Sequence, residues 1–276
     1  MTINDMTQAK YILGHSQQEI GGLILQATIL RPFTERLMRN AEIGPGMRVL
    51  DLGCGAGDVS MLAAELVGPS GSVVGIDRNP QVVDLASRRV RTAGLRQVTF
   101  KDVPLDAFSD PDLFDCVVGR YVLIHQTDPT NFLRTAARLV RPGGIIAFHE
   151  LDIAGAFNSR PRVWRWDAAG NLILAAFREA LPQHDSANRL IEHFSNAGLP
   201  APNVFREMLV GGGTSSPLYA WLADTMRSVW PQLVEMGIAT EVAIPAESLA
   251  TKVRSAVVEA RSQIEAPAQV CAWTRI

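Results

Sequence analysis

Between roughly residues 47 and 150, short apolar runs alternate with longer amphipathic stretches. Val49-Leu50-Asp51-Leu52, Ser72–Asp77, Gln97–Lys101, Phe114–Gly119 and Gly144–Phe148 are such runs, bounded by glycine, proline or acidic residues. Continuous apolar runs of this length predict strands covered on both faces. The stretches between them predict helices. One begins near Asp58, and another opens at Asn79-Pro80, where Asn79 suits an N-cap and Pro80 the first helical position. A third, helix-like piece is Val122-Leu123-Ile124-His125, and Leu139 to Gly144 reads as a turn. Strand and helix in alternation predict a mainly parallel sheet wrapped by helices.

The flanks follow a different pattern. Ser16 to Asn40 is helical in character, in two segments broken near Arg31-Pro32, because proline removes a helical donor. After the fifth run, Asn171 to Leu181 predicts an apolar helix stopped by Pro182, and Ser186 to Ala197 an amphipathic helix stopped by Gly198. Val204 to Val210 predicts a sixth strand ended by Gly211-Gly212-Gly213. Helices over Pro217–Met236 and Ala246–Ile264 come next, and Ala268 to Arg275 fits a terminal antiparallel strand beside the sixth. The organisation expected is an N-terminal helical lid over 1–40 and one domain over 41–276, with cap insertions at about 151–185 and 214–264. Trp164, Trp166, Tyr219, Trp221 and Trp230 lie in those insertions. They suit either core packing or the apolar walls of a small-molecule site. Arg160, Arg162 and Arg165 suit either an anionic group or a solvated loop.

The first run carries the chemistry. Leu52 leads into Gly53-Cys54-Gly55-Ala56-Gly57, with an acid, Asp51, two residues before the first glycine. Glycines let the backbone turn through positive φ and let a ligand approach closely. Dinucleotide loops more often read G-x-G-x-x-G and seat a pyrophosphate on a helix N-terminus. An acid at Asp51 suits a cationic ligand instead, or the orienting of the turn itself. Asp77 ends the second run about 20 residues later, where nucleotide folds hold ribose hydroxyls. Its charge disfavours a 2′-phosphate. Asp102-Val103 ends the third run, and Arg120 the fourth, at the edge where open α/β sheets bind ligands.

This order of motifs resembles the class I S-adenosylmethionine-dependent methyltransferases, in particular the small-molecule branch similar to enzymes of ubiquinone and menaquinone biosynthesis. The resemblance implies an α/β, Rossmann-like, doubly wound seven-stranded sheet whose last strand is antiparallel. It implies S-adenosyl-L-methionine as methyl donor, leaving as S-adenosyl-L-homocysteine. The cofactor contacts implied are Asp51, Gly53, Cys54, Gly55 and Gly57 in the first motif, Asp77 with Arg78 in the second, Asp102 and Val103 near the adenine, and Arg120. The N-terminal segment around Tyr11-Ile12-Leu13-Gly14-His15-Ser16 resembles a stretch that folds over the cofactor in such relatives, so that Tyr11, His15, Gln18 and Gln26 become lid or cofactor contacts. Gly21-Gly22 departs from the Arg-Leu many relatives carry near there, and weakens a helix.

Composition narrows the setting. The 276 residues are 47% apolar, enough for a substantial core, and the formal charge of −2 gives no basic excess for nucleic acid. Cys54, Cys116 and Cys271 are too scattered for a zinc site or a disulfide framework, so no metal is expected. Met1 to Lys10 is polar and lacks a signal-peptide core, and there is no run of 18 apolar residues, so a cytoplasmic location without a membrane span is the expectation. Oligomeric state, a homodimer included, is left open by the sequence.

Methyl transfer from a sulfonium is an in-line displacement in which positioning and exclusion of water supply much of the rate. A hydroxyl acceptor gains from a general base, and His149, which with Glu150 ends the fifth run, is the first candidate, with Tyr11 as a chamber-closing residue. His125 suits packing better. Strand alternation sends His149 and Glu150 to opposite faces. The function expected is methyl transfer to a small apolar or aromatic molecule. The alternatives are a non-catalytic S-adenosylmethionine-binding protein and a nucleotide-dependent oxidoreductase.

Overall fold

The computed structural model describes residues 17–239 and 245–276. Tyr11 and His15 lie outside the described residues. In chain order the elements are α1 (Gln17–Asn40), β1 (Arg48–Leu52), α2 (Asp58–Val67), β2 (Ser72–Asp77), α3 (Pro80–Thr92), β3 (Val98–Asp102) and β4 (Phe114–Arg120). Then come α4 (Pro129–Ala137), β5 (Val140–Leu151), β6 (Asn158–Arg160), α5 (Trp164–Ala180), α6 (Leu190–Asn196), β7 (Asn203–Glu207) and β8 (Val210–Gly212). The last are α7 (Leu218–Glu235), α8 (Ala246–Glu259), β9 (Gln263–Glu265) and β10 (Gln269–Arg275). No helix among the described residues is long and apolar enough to cross a membrane.

The chain divides into two compact units. One comprises Ala27–Leu151, Asp185–Glu207 and Gln269–Ile276. Its seven strands run β3-β2-β1-β4-β5-β10-β7, parallel except for β10, which is antiparallel to both β5 and β7. This is the doubly wound sheet with an antiparallel last strand that the motif order implies. Because the strands are covered on both faces, their residues sort by parity. Leu50, Leu52, Ile76, Val117, Ile146 and Phe148 pack with Leu133 of α4 and Leu190 and Phe194 of α6. Val49, Val73, Cys116, Val118 and Ala147 pack on the other face with Leu37 and Met38 of α1 and with Val59 and Leu62 of α2. The order reverses between β1 and β4, leaving a crevice at the carboxyl ends of these strands.

Two local expectations are corrected. The helix before β1 is continuous through Pro32 instead of broken there. Leu30, Leu37 and Met38 are fully buried, and Arg31 reaches the Glu65 carboxylate through both guanidinium nitrogens, so packing and pairing hold the helix where one donor is missing. The stretch expected as a turn from Leu139 to Gly144 lies mostly within β5. Phe114 pairs with Val140, the register then slips, and Cys116 pairs with Ile145, so the extra residues form an irregularity in which Pro142 and Gly143 are tolerated.

Among the described residues the second unit comprises 17–26, Asp152–His184, 208–239 and 245–268. It holds a three-stranded sheet of order β6-β9-β8, which the sequence reading missed. Gly211 and Gly212, expected to end a strand, instead pair with Ile264 and Gln263, and Ile264 is strand where helix was expected. Its core is aromatic: Phe157 meets Trp166 edge-on at 5.3 Å and stacks on Trp221 at 6.3 Å. The Trp166 indole donates to the Glu265 carbonyl at 3.2 Å. Trp166, Tyr219 and Trp221 are therefore core, while Trp164 is exposed together with Arg160, Arg162 and Arg165.

Candidate functional site

The loop after β1 is built by its glycines. Gly53, Gly55 and Gly57 have φ of 64°, 50° and 85°. At Gly57, the N-cap of α2, an added Cβ would lie 3.0 Å from the Phe100 ring and 3.1 Å from Ala86, so only glycine fits. At Gly55 an added Cβ would meet nothing within 4 Å among the described residues. The loop is pinned by three hydrogen bonds. Cys54 donates its amide to Ile76 at 2.9 Å, Gly55 donates to the Asp77 carboxylate at 3.0 Å, and Arg89 donates to the Ala56 carbonyl at 2.5 Å. The Cys54 thiol is buried, and burial pushes it well above its ordinary range, so it stays protonated.

Asp51 lies beneath this loop, fully buried on the α2 face of β1. One carboxylate oxygen accepts the Ser60 hydroxyl at 2.5 Å. The other, Oδ1, is buried with no partner among the described residues. Burial pushes this carboxyl up to about 7, against the Ser60 hydrogen bond and the Arg120 charge, which pull it down. A half-satisfied buried carboxylate is costly, and a cation or N–H donor would complete it.

Asp77 is half-buried at the end of β2 and accepts the amides of Gly55 and Asn79, each at 3.0 Å. A carboxylate retains lone pairs beyond two bonds, so it can still accept hydroxyls. Asp102 is its register partner on β3 and is exposed; Val103 follows, half-buried, and Arg78 is exposed. The Asn79 side chain caps α3 through the Gln81 amide, with Pro80 at the first turn, as expected. Asp51, Asp77 and the glycines thus converge at the carboxyl ends of β1 and β2. Gln26 is half-buried on α1, in the other unit.

Arg120 ends β4 beside His149 of β5. Both ring nitrogens of His149 are engaged. It is fully buried, its Nδ1 lies 3.0 Å from the Thr34 hydroxyl, and its Nε2 lies 2.9 Å from Gln269 Oε1. Burial, reinforced by the Arg120 charge, lowers it to about 3, so the ring is neutral with both nitrogens engaged. Gln269 Oε1 also accepts the Tyr121 hydroxyl at 2.5 Å, which requires His149 to donate from Nε2 and to accept at Nδ1. His125 is likewise held neutral, lowered to about 4 by burial and the Arg78 charge. Glu150 faces the opposite side of the sheet, as alternation requires, and accepts the amides of Val122 and Leu123 at 2.9 Å each.

Sequence reasoning missed Ser60, Thr34 and Gln269. Ser60 stands out afterwards as the buried polar residue in a helix whose other buried residues are apolar. Thr34 and Gln269 are 115 and 120 residues from His149, and nothing local signals the contact.

Comparison with known proteins shows the family. The family described as "Methyltransferase domain" matches residues 43–195, more than half of the chain. The aklanonic acid methyltransferase DauC of Streptomyces sp. (strain C5) is 33% identical over 167 residues, covering 60% of this chain and 74% of that protein. A ubiquinone biosynthesis O-methyltransferase of Paracidovorax citrulli is 33% identical over 109 residues, covering 39% of this chain and 44% of that one. Several other curated relatives are also matched over less than half of their own length. The YcgJ protein of Bacillus subtilis shares the fold with a TM-score of 0.56 at 17% identity, over 88% of this chain and 99% of that one. The chain belongs to the methyltransferase domain family, within the class I S-adenosylmethionine-dependent methyltransferases.

Proposed function

We propose that this chain transfers the methyl group of S-adenosylmethionine to a small organic acceptor. The observation that carries the reading is the buried, unpartnered Oδ1 of Asp51 beneath the glycine loop. An α-amino acid terminus brings both an ammonium and a carboxylate. Asp51 and Arg120, of opposite charge and coupled to one another, offer a partner to each. Asp77 is assigned to the ribose hydroxyls, and Asp102 with Val103 to the adenine. Gly53, Cys54, Gly55 and Gly57 are assigned to the approach through their backbone, and Arg78 is retained as a further contact. When bound, the cofactor supplies a methyl group on a sulfonium, an electrophile that needs no further activation and departs as S-adenosylhomocysteine.

The residues of the chain bind, orient and exclude water. His149 is assigned a structural part, since neither ring nitrogen has a lone pair free to receive a proton. Tyr11 is kept as the candidate that closes the transfer chamber. A small-molecule acceptor is supported by relatives named for aklanonic acid and for ubiquinone biosynthesis. The test is transfer of a radiolabelled methyl group to a panel of phenols, enols, amines and carboxylic acids. Label appearing in any acceptor above the no-enzyme rate supports an enzyme. Saturable cofactor binding without transfer to any of them points to a non-catalytic binding protein.

A further inference from the structure

Tyr121 follows Arg120 with φ of 58°, a left-handed conformation that a bulky side chain rarely adopts. Such a residue persists where its surroundings over-determine it. Two neighbours on β5 do so from opposite faces of the sheet. In the plane of the sheet the Tyr121 amide donates to the His149 carbonyl at 2.8 Å, and on the α1 face the two rings meet edge-on at 5.5 Å. The Tyr121 hydroxyl and His149 Nε2 share the Gln269 Oε1 acceptor. On the other face, Glu150 Oε1 accepts the next two amides, Val122 and Leu123. The Ile124 amide acts on the same carboxyl, and Glu150 Oε2 is buried with no partner among the described residues.

We propose that His149 and Glu150 act as a two-faced clamp on the turn Arg120–Leu123 and thereby set the affinity of the glycine-loop site. They are positioning residues, and the proposal rests on the cofactor reading given above. The turn matters to the site in two ways. Val122 packs under the loop: its Cγ1 lies 3.2 Å from where a Gly53 Cβ would stand, and its Cγ2 lies 2.9 Å from the same point on Gly119. Arg120, one residue before the kink, donates to the Thr34 hydroxyl at 3.4 Å, and its charge favours the ionised form of Asp51. Relaxing Tyr121 to an ordinary φ would redirect the chain on either side, moving Arg120 and Val122 together. The clamp therefore links β5, which carries none of the assigned cofactor contacts, to Arg120 at the end of β4 and to Val122 in the turn after it.

The test is calorimetric titration of S-adenosylhomocysteine into the full chain and its Glu150→Gln, Glu150→Leu and Tyr121→Phe variants, with circular dichroism on each. Glutamine keeps a carbonyl oxygen for these amides, so affinity should stay within about threefold of wild type. Leucine fits an apolar surrounding but leaves the Val122, Leu123 and Ile124 amides without this acceptor, and affinity should fall about tenfold. Tyr121→Phe loses only the hydroxyl bond and should weaken binding roughly three- to tenfold. A folded Glu150→Leu variant with wild-type affinity would overturn the proposal, as would Glu150→Gln losing as much as leucine. If Glu150→Leu does not fold, Tyr121→Phe decides: wild-type affinity there overturns the clamp. Wild type failing to bind at all is a separate result, which removes the cofactor reading and the clamp with it.

Discussion

The Gly55 amide donates to the Asp77 carboxylate at 3.0 Å, so the acid that ends β2 also fixes the loop that follows β1. The two motifs are one mechanical unit.

Substitution of Asp77 should act twice. Asp77→Ala removes the proposed ribose acceptor and the loop anchor together, and should weaken S-adenosylhomocysteine binding by about tenfold to a hundredfold, the scale of one or two hydrogen bonds to a charged group. Asp77→Asn keeps a carbonyl acceptor and should fall between the two. Equilibrium titration of the three proteins checks the order.

Asp51 should trade stability for affinity. Its carboxyl is raised to about 7 in the folded chain from an ordinary value near 3.8, so the folded state holds the proton more tightly than the unfolded state does. Stability from this group is therefore full below about pH 4 and is lost as pH rises through 7. Asp51→Asn removes that loss and should stabilise the ligand-free protein by roughly 2–4 kcal/mol at pH 8, with little gain at pH 4. The same variant should bind the cofactor product less well. Denaturant unfolding at the two pH values, with and without product, measures both effects.

Much of this site is legible in the sequence because its signals are local. Asp51, the glycines, Asp77 and the Asn79-Pro80 cap all lie within 30 residues, and each has a short-range reason to be where it is. The parity that separates His149 from Glu150 is equally local. What escaped is long-range or short. β6, β8 and β9 have three residues each, too few for a period to show. Pro32 reads as a break because propensity ignores the burial of Leu30 and Leu37 on either side. His149 reads as a base because nothing nearby reveals that Thr34 and Gln269 occupy its nitrogens.

The neutral His149 predicts a stability limb in acid, of the opposite sign to that of Asp51. Its folded value of about 3 lies below the ordinary 6.5, so the unfolded state binds the proton first. Stability should be full above about pH 6.5 and fall towards pH 3, by on the order of 4–5 kcal/mol from this group. The limb should be shallower in His149→Gln, as read from denaturant midpoints between pH 4 and 7. Activity of the wild type should show no ionisation near 6.5 arising from this ring.

Gly55 and Gly57 should respond differently to alanine. Both have positive φ, a cost of roughly 1–2 kcal/mol for a residue with a Cβ. Gly57→Ala adds contacts at 3.0 and 3.1 Å with Phe100 and Ala86 and should lower stability by roughly 2–4 kcal/mol. Gly55→Ala meets nothing within 4 Å among the described residues, so its stability cost should stay near the backbone strain while its methyl group enters the ligand's approach. Unfolding and binding, measured on both, should rank them in opposite order.

The most direct measurement is calorimetric titration of wild type and Asp77→Ala with S-adenosylmethionine and S-adenosylhomocysteine, with NADH as control. The account predicts saturable binding of both sulfur compounds to wild type, strong weakening in the variant, and no competing affinity for NADH. Absence of binding to the folded wild type, or tighter binding of NADH, would contradict it and return the glycine loop to the dinucleotide reading.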